Sequence, residues 1–90
     1  MLKIVQSNRF KKDLELAKKR GFVLSILLKV VNMLANKEPL PLIFKDHLLN
    51  DEYSNFRECH IKPNWLLIYY IDDEELELFL VRTGNHFDLF

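Results

Sequence analysis

The 90-residue chain has one cysteine, two glycines and three prolines. A single cysteine excludes an internal disulfide framework and suits a reducing, cytoplasmic compartment. The two glycines, Gly21 and Gly84, are too few and too far apart for a glycine-rich phosphate loop. The longest apolar run, residues 65–71, falls far short of the roughly 20 residues that cross a bilayer, so neither a membrane-spanning helix nor a membrane partner is expected. The first residues lack the long apolar block of a secretory leader. Close metal-ligand spacings of the HxxxH or CxxC kind are missing, so no metal or other cofactor is expected. Ser7, Ser25 and Ser54 sit in no nucleophile motif. Repeats and low-complexity segments are also absent.

An excess of charge of one sign is missing as well, with 13 Lys and Arg against 13 Asp and Glu. That balance speaks against a strongly basic nucleic-acid binder, but its distribution does not. Residues 1–45 hold ten cationic and three acidic side chains, a balance of +7; residues 46–90 hold three and ten, a balance of −7. Such asymmetry points weakly to a polyanionic partner; the plainer reading is a solvated helical face. The hydrophobic and charged fractions, 49% and 29%, are globular values, and the length suits one domain over residues 1–90.

What is present is periodic. Residues 2–5 read as a short strand. Ser7 or Asn8 can cap a following helix in which Phe10, Leu14 and Ala17 share a face. Lys18, Lys19 and Arg20 suit its last turn, and Gly21 its left-handed end. Leu24, Leu27, Leu28, Val31, Leu34 and Ala35 form a second helical stripe. Pro39 and Pro41 end it, which predicts a helical hairpin over residues 8–37. The pattern then changes to strands: residues 54–61, a turn at Lys62-Pro63-Asn64, and the run 65–71, whose composition suits a strand buried on both faces. An acidic turn at residues 72–75 leads to a last strand in which Leu76, Leu78 and Leu80 alternate. Residues 85–90 then form a turn or short helix. The expected fold class is α+β, an N-terminal helical hairpin packed on one face of a curled, mainly antiparallel β-sheet.

The three histidines, His47, His60 and His86, fall in a loop before the sheet, in a strand, and in the tail after the last strand. A curled sheet can bring such places together, and imidazole suits proton transfer near neutral pH. A metal centre of Asp46, His47, His60 and His86 is conceivable but lacks tight ligand spacing. Strand alternation puts Phe56, Glu58 and His60 on one face and Arg57, Cys59 and Ile61 on the other, so Cys59 and His60 should not form a dyad. Cys59 reads as a small buried hydrophobe. Arg82 could steady charge on a phosphate or pair with one of the many carboxylates. Phe87 and Phe90 could stack on a base or tack the tail to the core.

Three ordered stretches resemble the YafQ-type toxins of the RelE/ParE superfamily of bacterial type II toxin–antitoxin systems. They are Leu40-Pro41 with Lys45-Asp46-His47-Leu48, the segment from Phe56-Arg57-Glu58-Cys59-His60 through Lys62-Pro63-Asn64-Trp65 to Tyr69, and Arg82-Thr83-Gly84-Asn85-His86 followed by Leu89-Phe90. The likeness covers residues 40–90 closely and the basic helices more loosely. It implies a RelE-like, microbial-RNase-like fold and a ribosome-dependent messenger RNA endonuclease held inactive by a cognate antitoxin. The implied partners are that antitoxin, the 70S ribosome and mRNA, with no DNA contact by the toxin alone.

The resemblance places functional positions at His47, His60, His86 and Phe90. Asn64 stands where the family carries an aspartate; it can hydrogen-bond but cannot act as a base. Glu58 replaces another family aspartate more mildly. On this reading His86 is the general acid, His47 or His60 the base, and Arg82 the phosphate contact. Asn64, Glu58 and Phe90 face the RNA, while Lys18 and Lys19, with Lys11, Lys12 and Arg20, meet ribosomal RNA. The rival readings are a ParE-like DNA gyrase inhibitor of the same fold and a catalytically decayed binding module.

Overall fold

The computed structural model describes residues 1–49 and 55–90. Strand β1 (Lys3–Gln6) leads into α1 (Asn8–Lys19) and α2 (Leu24–Ala35). A 3₁₀ turn at Leu42–Phe44 precedes β2 (His47–Leu48), β3 (Arg57–Lys62), β4 (Trp65–Asp72), β5 (Glu77–Gly84) and α3 (His86–Leu89). The sheet order is β1-β5-β4-β3-β2. β1 runs parallel to β5, and every other neighbour is antiparallel.

The helix boundaries follow from local chemistry. Ser7 Oγ caps α1 by accepting from the Phe10 amide at 2.9 Å. At the other end Gly21 takes φ +78°, and the Phe22 and Gly21 amides close back on the Ala17 and Lys18 carbonyls. Helix α2 ends in the same motif with Lys37 in the left-handed position, a conformation the sequence does not announce. Its buried stripe is Leu27, Val30, Val31, Leu34 and Ala35. Leu28, expected inside, is exposed, and Val30 is fully buried in its place. The stripe follows the 3.6-residue period from Leu27, which carries it to residues 30 and 31 and away from residue 28.

Both helices cover one face of the sheet, where Phe10, Leu27, Val30 and Leu34 pack with Cys59, Ile61, Leu67, Tyr69, Leu78 and Leu80. The opposite face has a smaller core of Leu66, Ile68 and Leu89, flanked by Leu49, Phe56 and Val81. Strand β4 is thus buried on both faces, as its unbroken apolar run requires.

Two expectations shift. His47 lies in a two-residue strand rather than a loop, because its backbone finds a partner opposite Glu58. Leu76 belongs to the turn, with φ +56°, and β5 begins one residue later. Ser54, the first residue of the strand expected over 54–61, lies outside the described residues. A bulge completes the frame. Ile68 pairs with Arg82 but Tyr69 with Leu80, so Val81 is the extra residue. That insertion shifts Arg82 out of the face shared by Leu78 and Leu80 and onto the face of Ile68.

Candidate active site

The face opposite the helices gathers the candidate residues by register. His47 pairs with Glu58, Glu58 with Ile68, and Ile68 with Arg82. In the next row His60 pairs with Leu66, and Leu66 with Gly84. Paired residues share a face, so His47, Glu58 and His60 stand on one side of an apolar floor of Leu66 and Ile68. Arg82 and the start of α3 stand on the other. Strands about 4.8 Å apart put Glu58 and His60 roughly 10 Å, and His47 roughly 14 Å, from the strand that carries Arg82.

The near side is a carboxylate between two imidazoles. His47 Nε2 lies 3.5 Å from Glu58 Oε1, and His60 Nε2 lies 3.6 Å from the same oxygen. The Glu58 side chain is only 8% exposed, against 48% for His47 and 27% for His60. The histidine ring centroids are 6.3 Å apart. His47 Nδ1 lies 2.7 Å from the Lys45 carbonyl. A carbonyl only accepts, so Nδ1 carries a proton and Nε2 remains to exchange one. The 3₁₀ turn sets this up, since it ends with Lys45 in a left-handed conformation, φ +49°.

The far side is carried by α3, a single turn. Asn85 and Asp88 close a reciprocal capping box, with Asp88 N–H donating to Asn85 Oδ1 at 2.8 Å and Asn85 N–H to Asp88 Oδ2 at 3.0 Å. Leu89 plugs into the Leu66–Ile68 floor. His86 is exposed, and its ring centroid is 5.0 Å from that of Phe90. Phe90 itself is half exposed, and Phe87 is almost fully so.

Arg82 is not an isolated cation. Its Nε and Nη2 donate to the two carboxylate oxygens of Asp13 of α1 at 2.8 and 3.1 Å, and its Nη2 also reaches the Asp88 carbonyl at 3.5 Å. Strand β1 ends at Gln6 opposite Leu80, leaving the edge of β5 beyond it to α1. There Ser7 Oγ donates to the Val81 carbonyl and Asp13 accepts from the Thr83 amide. Arg20, expected to face ribosomal RNA, instead donates to Asp88 through Nη1 at 2.6 Å and Nη2 at 3.3 Å. That guanidinium holds the Asp88 carboxyl below its ordinary value.

Other residues leave the site. Asp46 accepts from Arg57 and from the Tyr69 hydroxyl, which removes it from any set with the histidines. Among the described residues no group of three or more His, Cys, Asp and Glu is arranged to hold a metal ion. Cys59 is fully buried on the helix side, and desolvation pushes its thiol up to about 12. It faces away from His60, as alternation requires. Asn64 is exposed in the β3–β4 turn, bordering a depression with Gly21, Phe22 and Trp65. A cavity of about 480 Å³ lined by Phe44, Lys45, Lys62 and Pro63 adjoins His60. A larger one of about 590 Å³, lined by Leu40, Asp46 and Tyr69, contains none of the three histidines. The candidate residues therefore lie along a sheet face rather than together in either cavity. Lys11, Lys12, Lys18 and Lys19 are exposed along α1.

The sequence reading missed Asp13, Arg20 and Asp88 as parts of this site. Asp13 carried a signal, since it and Glu15 are the only acids in the first 37 residues. An acid set into so basic a helix invites a search for its partner.

The family described as the bacterial toxin of type II toxin–antitoxin system, YafQ, matches residues 2–90. The chain belongs to the YafQ family. The mRNA interferase toxin YafQ of Escherichia coli strain B / BL21-DE3 is 39% identical over 88 residues, 97% of this chain and 94% of its own. The crystal structure of a metal-bound toxin from Helicobacter pylori superposes with a TM-score of 0.95 at 50% identity, covering 100% of both chains. YafQ in the E. coli DinJ–YafQ complex gives 0.89 at 37% identity, over 100% of this chain and 99% of that one. YafQ membership makes the chain a RelE/ParE-type toxin with the α+β architecture its sequence predicts. Among the described residues no helix is long and apolar enough to cross a membrane.

Proposed function

We propose that this chain is a cytoplasmic endoribonuclease that cuts messenger RNA on the 70S ribosome and is silenced by a cognate antitoxin. One observation carries the reading: two imidazoles share a buried carboxylate on the same sheet face that receives the His86-bearing helix. The activity named for the E. coli relative and the antitoxin complex of its YafQ support the class and the partner.

The proposed chemistry needs no metal. The RNA 2′-oxygen attacks the adjacent phosphorus while His47 or His60 accepts its proton, with Glu58 steadying the resulting cation. The bond from phosphorus to the 5′-oxygen breaks, and His86 protonates that oxygen as it leaves. Arg82, held by Asp13, meets the charge that builds on the phosphate. The products are a 2′,3′-cyclic phosphate and a 5′-hydroxyl end. Phe90, beside His86, stacks on the displaced nucleotide, and Asn64 orients RNA through its amide. Lys18 and Lys19 contact ribosomal RNA phosphates.

The test is induction in cells followed by mapping of mRNA 5′ ends. In-frame cuts support the nuclease; DNA damage without cuts points to a gyrase inhibitor; neither points to a non-catalytic module. His86→Ala should lower single-turnover cleavage of ribosome-bound message by about 10²–10⁴-fold with the fold intact. Full cleavage by the folded variant would falsify the acid assignment.

A further inference from the structure

We infer that helix α1 positions the His86-bearing helix for the reaction, with Arg20 and Asp13 as positioning residues. The inference rests on the reading of His86 as the acid.

A four-residue helix cannot hold a side chain in place alone, because one turn barely offsets the ordering of its backbone. Helix α3 is therefore held from outside, at three points. Leu89 fixes its base on the sheet. Arg20 grips Asp88 with two guanidinium nitrogens, and the Arg82 held by Asp13 reaches the Asp88 carbonyl. The first grip comes from the C-cap of α1, 68 residues away along the chain, and the second from β5, whose Arg82 is itself fixed by Asp13 of α1.

The route from Asp88 to His86 is short. Asp88 is the third residue of α3, and its carboxylate also accepts from the Asn85 amide, so its position sets that of the whole turn. Gly84 makes the fold-back possible. Its φ is +156°, and a Cβ there would sit 2.9 Å from Asp88 Oδ2. Planar guanidinium–carboxylate forks constrain angle as well as distance. A proton donor misplaced by about 1 Å can cost about 100-fold in rate. The end of α1 thus ties the basic helix to the acid at the β5 edge of the sheet.

The experiment compares wild type with Arg20→Gln, Arg20→Lys and Asp13→Asn on programmed ribosomes, reading single-turnover cleavage and the ring-proton shifts of His86 by NMR. His86 lies 5.0 Å from the Phe90 ring, so its shift reports the turn's geometry independently of activity. Arg20→Gln is expected to move the His86 shift and lower the rate at saturating ribosomes about tenfold or more. The ribosome concentration for half-maximal rate should stay the same. Arg20→Lys, which keeps the charge and loses the fork, should fall between. Asp13→Asn should move the same shift if its thermal midpoint shows it folded, and Arg20→Gln decides the matter if it does not.

An unchanged His86 shift in Arg20→Gln overturns the inference, whatever the rate does. So does a weaker half-saturation with an unchanged saturated rate, which makes Arg20 a docking residue only. His86→Ala run alongside separates the two levels. If it cleaves at full rate the acid assignment falls, and the shift alone decides whether α1 holds the turn.

Discussion

Glu58 shows what a single residue contributes here. Carboxylates are seldom buried without partners, and this one has an imidazole on each side. It was legible in the sequence as a neighbour of His60 on the same strand face, since alternation alone puts residues 58 and 60 together. Its contact with His47 was not legible, because β2 is two residues long and too short to show a period. Glu58→Gln keeps the shape and removes the charge. Cleavage should fall by about 10²-fold, since the imidazolium formed during proton transfer loses its counter-charge. The thermal midpoint should hold or rise, because a neutral amide is cheaper to bury than a carboxylate. Parallel measurement of single-turnover rate and thermal unfolding checks both. A rate loss matched by a loss of fold would remove Glu58 from the chemistry. Cys59, next along the strand, makes the contrast, since its burial on the helix side silences it.

At the level of elements, the two long helices and the strands other than β2 were readable because each is long enough to show its pattern. What could not be read are the ties between distant elements. Asp13 meets Arg82 and Arg20 meets Asp88 across most of the chain, and no local pattern encodes either pair. Left-handed Lys37 and Lys45 were also invisible, since lysine does not advertise that backbone as glycine does. The Arg20–Asp88 tie predicts a pH dependence. Arg20 lowers the folded-state carboxyl of Asp88 from its ordinary value of 3.8, so the folded form binds that proton less readily than the unfolded chain. The stabilisation is complete above the unfolded value and is lost as pH falls through the lower folded one. Wild type should therefore exceed Asp88→Asn in thermal midpoint at pH 7, and the gap should shrink below about pH 4. Unfolding curves of both proteins between pH 7 and pH 2 provide the check. A gap independent of pH would mean that neither Arg20 nor the Asn85 amide stabilises the charged form of Asp88.

For the whole molecule, a net charge of zero conceals two halves of opposite charge. Residues 1–45 carry +7 and residues 46–90 carry −7. The lysines of α1 project to solvent, while the histidines and Glu58 gather on the sheet face that the helices do not cover. A nuclease that receives its message already held by the ribosome does not need a basic cleft. It needs a basic outer surface to dock and a separate face to cut. Lys18 and Lys19 test that division. Among the described residues the ion pair of Lys18 is an exposed 3.4 Å contact with Glu15, worth about 0–1 kcal/mol, so its charge remains available to a phosphate. Lys18→Glu/Lys19→Glu should weaken ribosome binding and flatten its salt dependence. Each lost phosphate contact removes about 0.7–0.9 from the slope of log affinity against log salt, so the pair should remove nearly two. The saturated cleavage rate should stay near wild type, which distinguishes these lysines from Arg20, whose loss should lower that rate while binding holds. Ribosome co-sedimentation at several salt concentrations, with single-turnover cleavage at saturation, separates the two effects. Unchanged binding in the double variant would return these lysines to a solvated helical face.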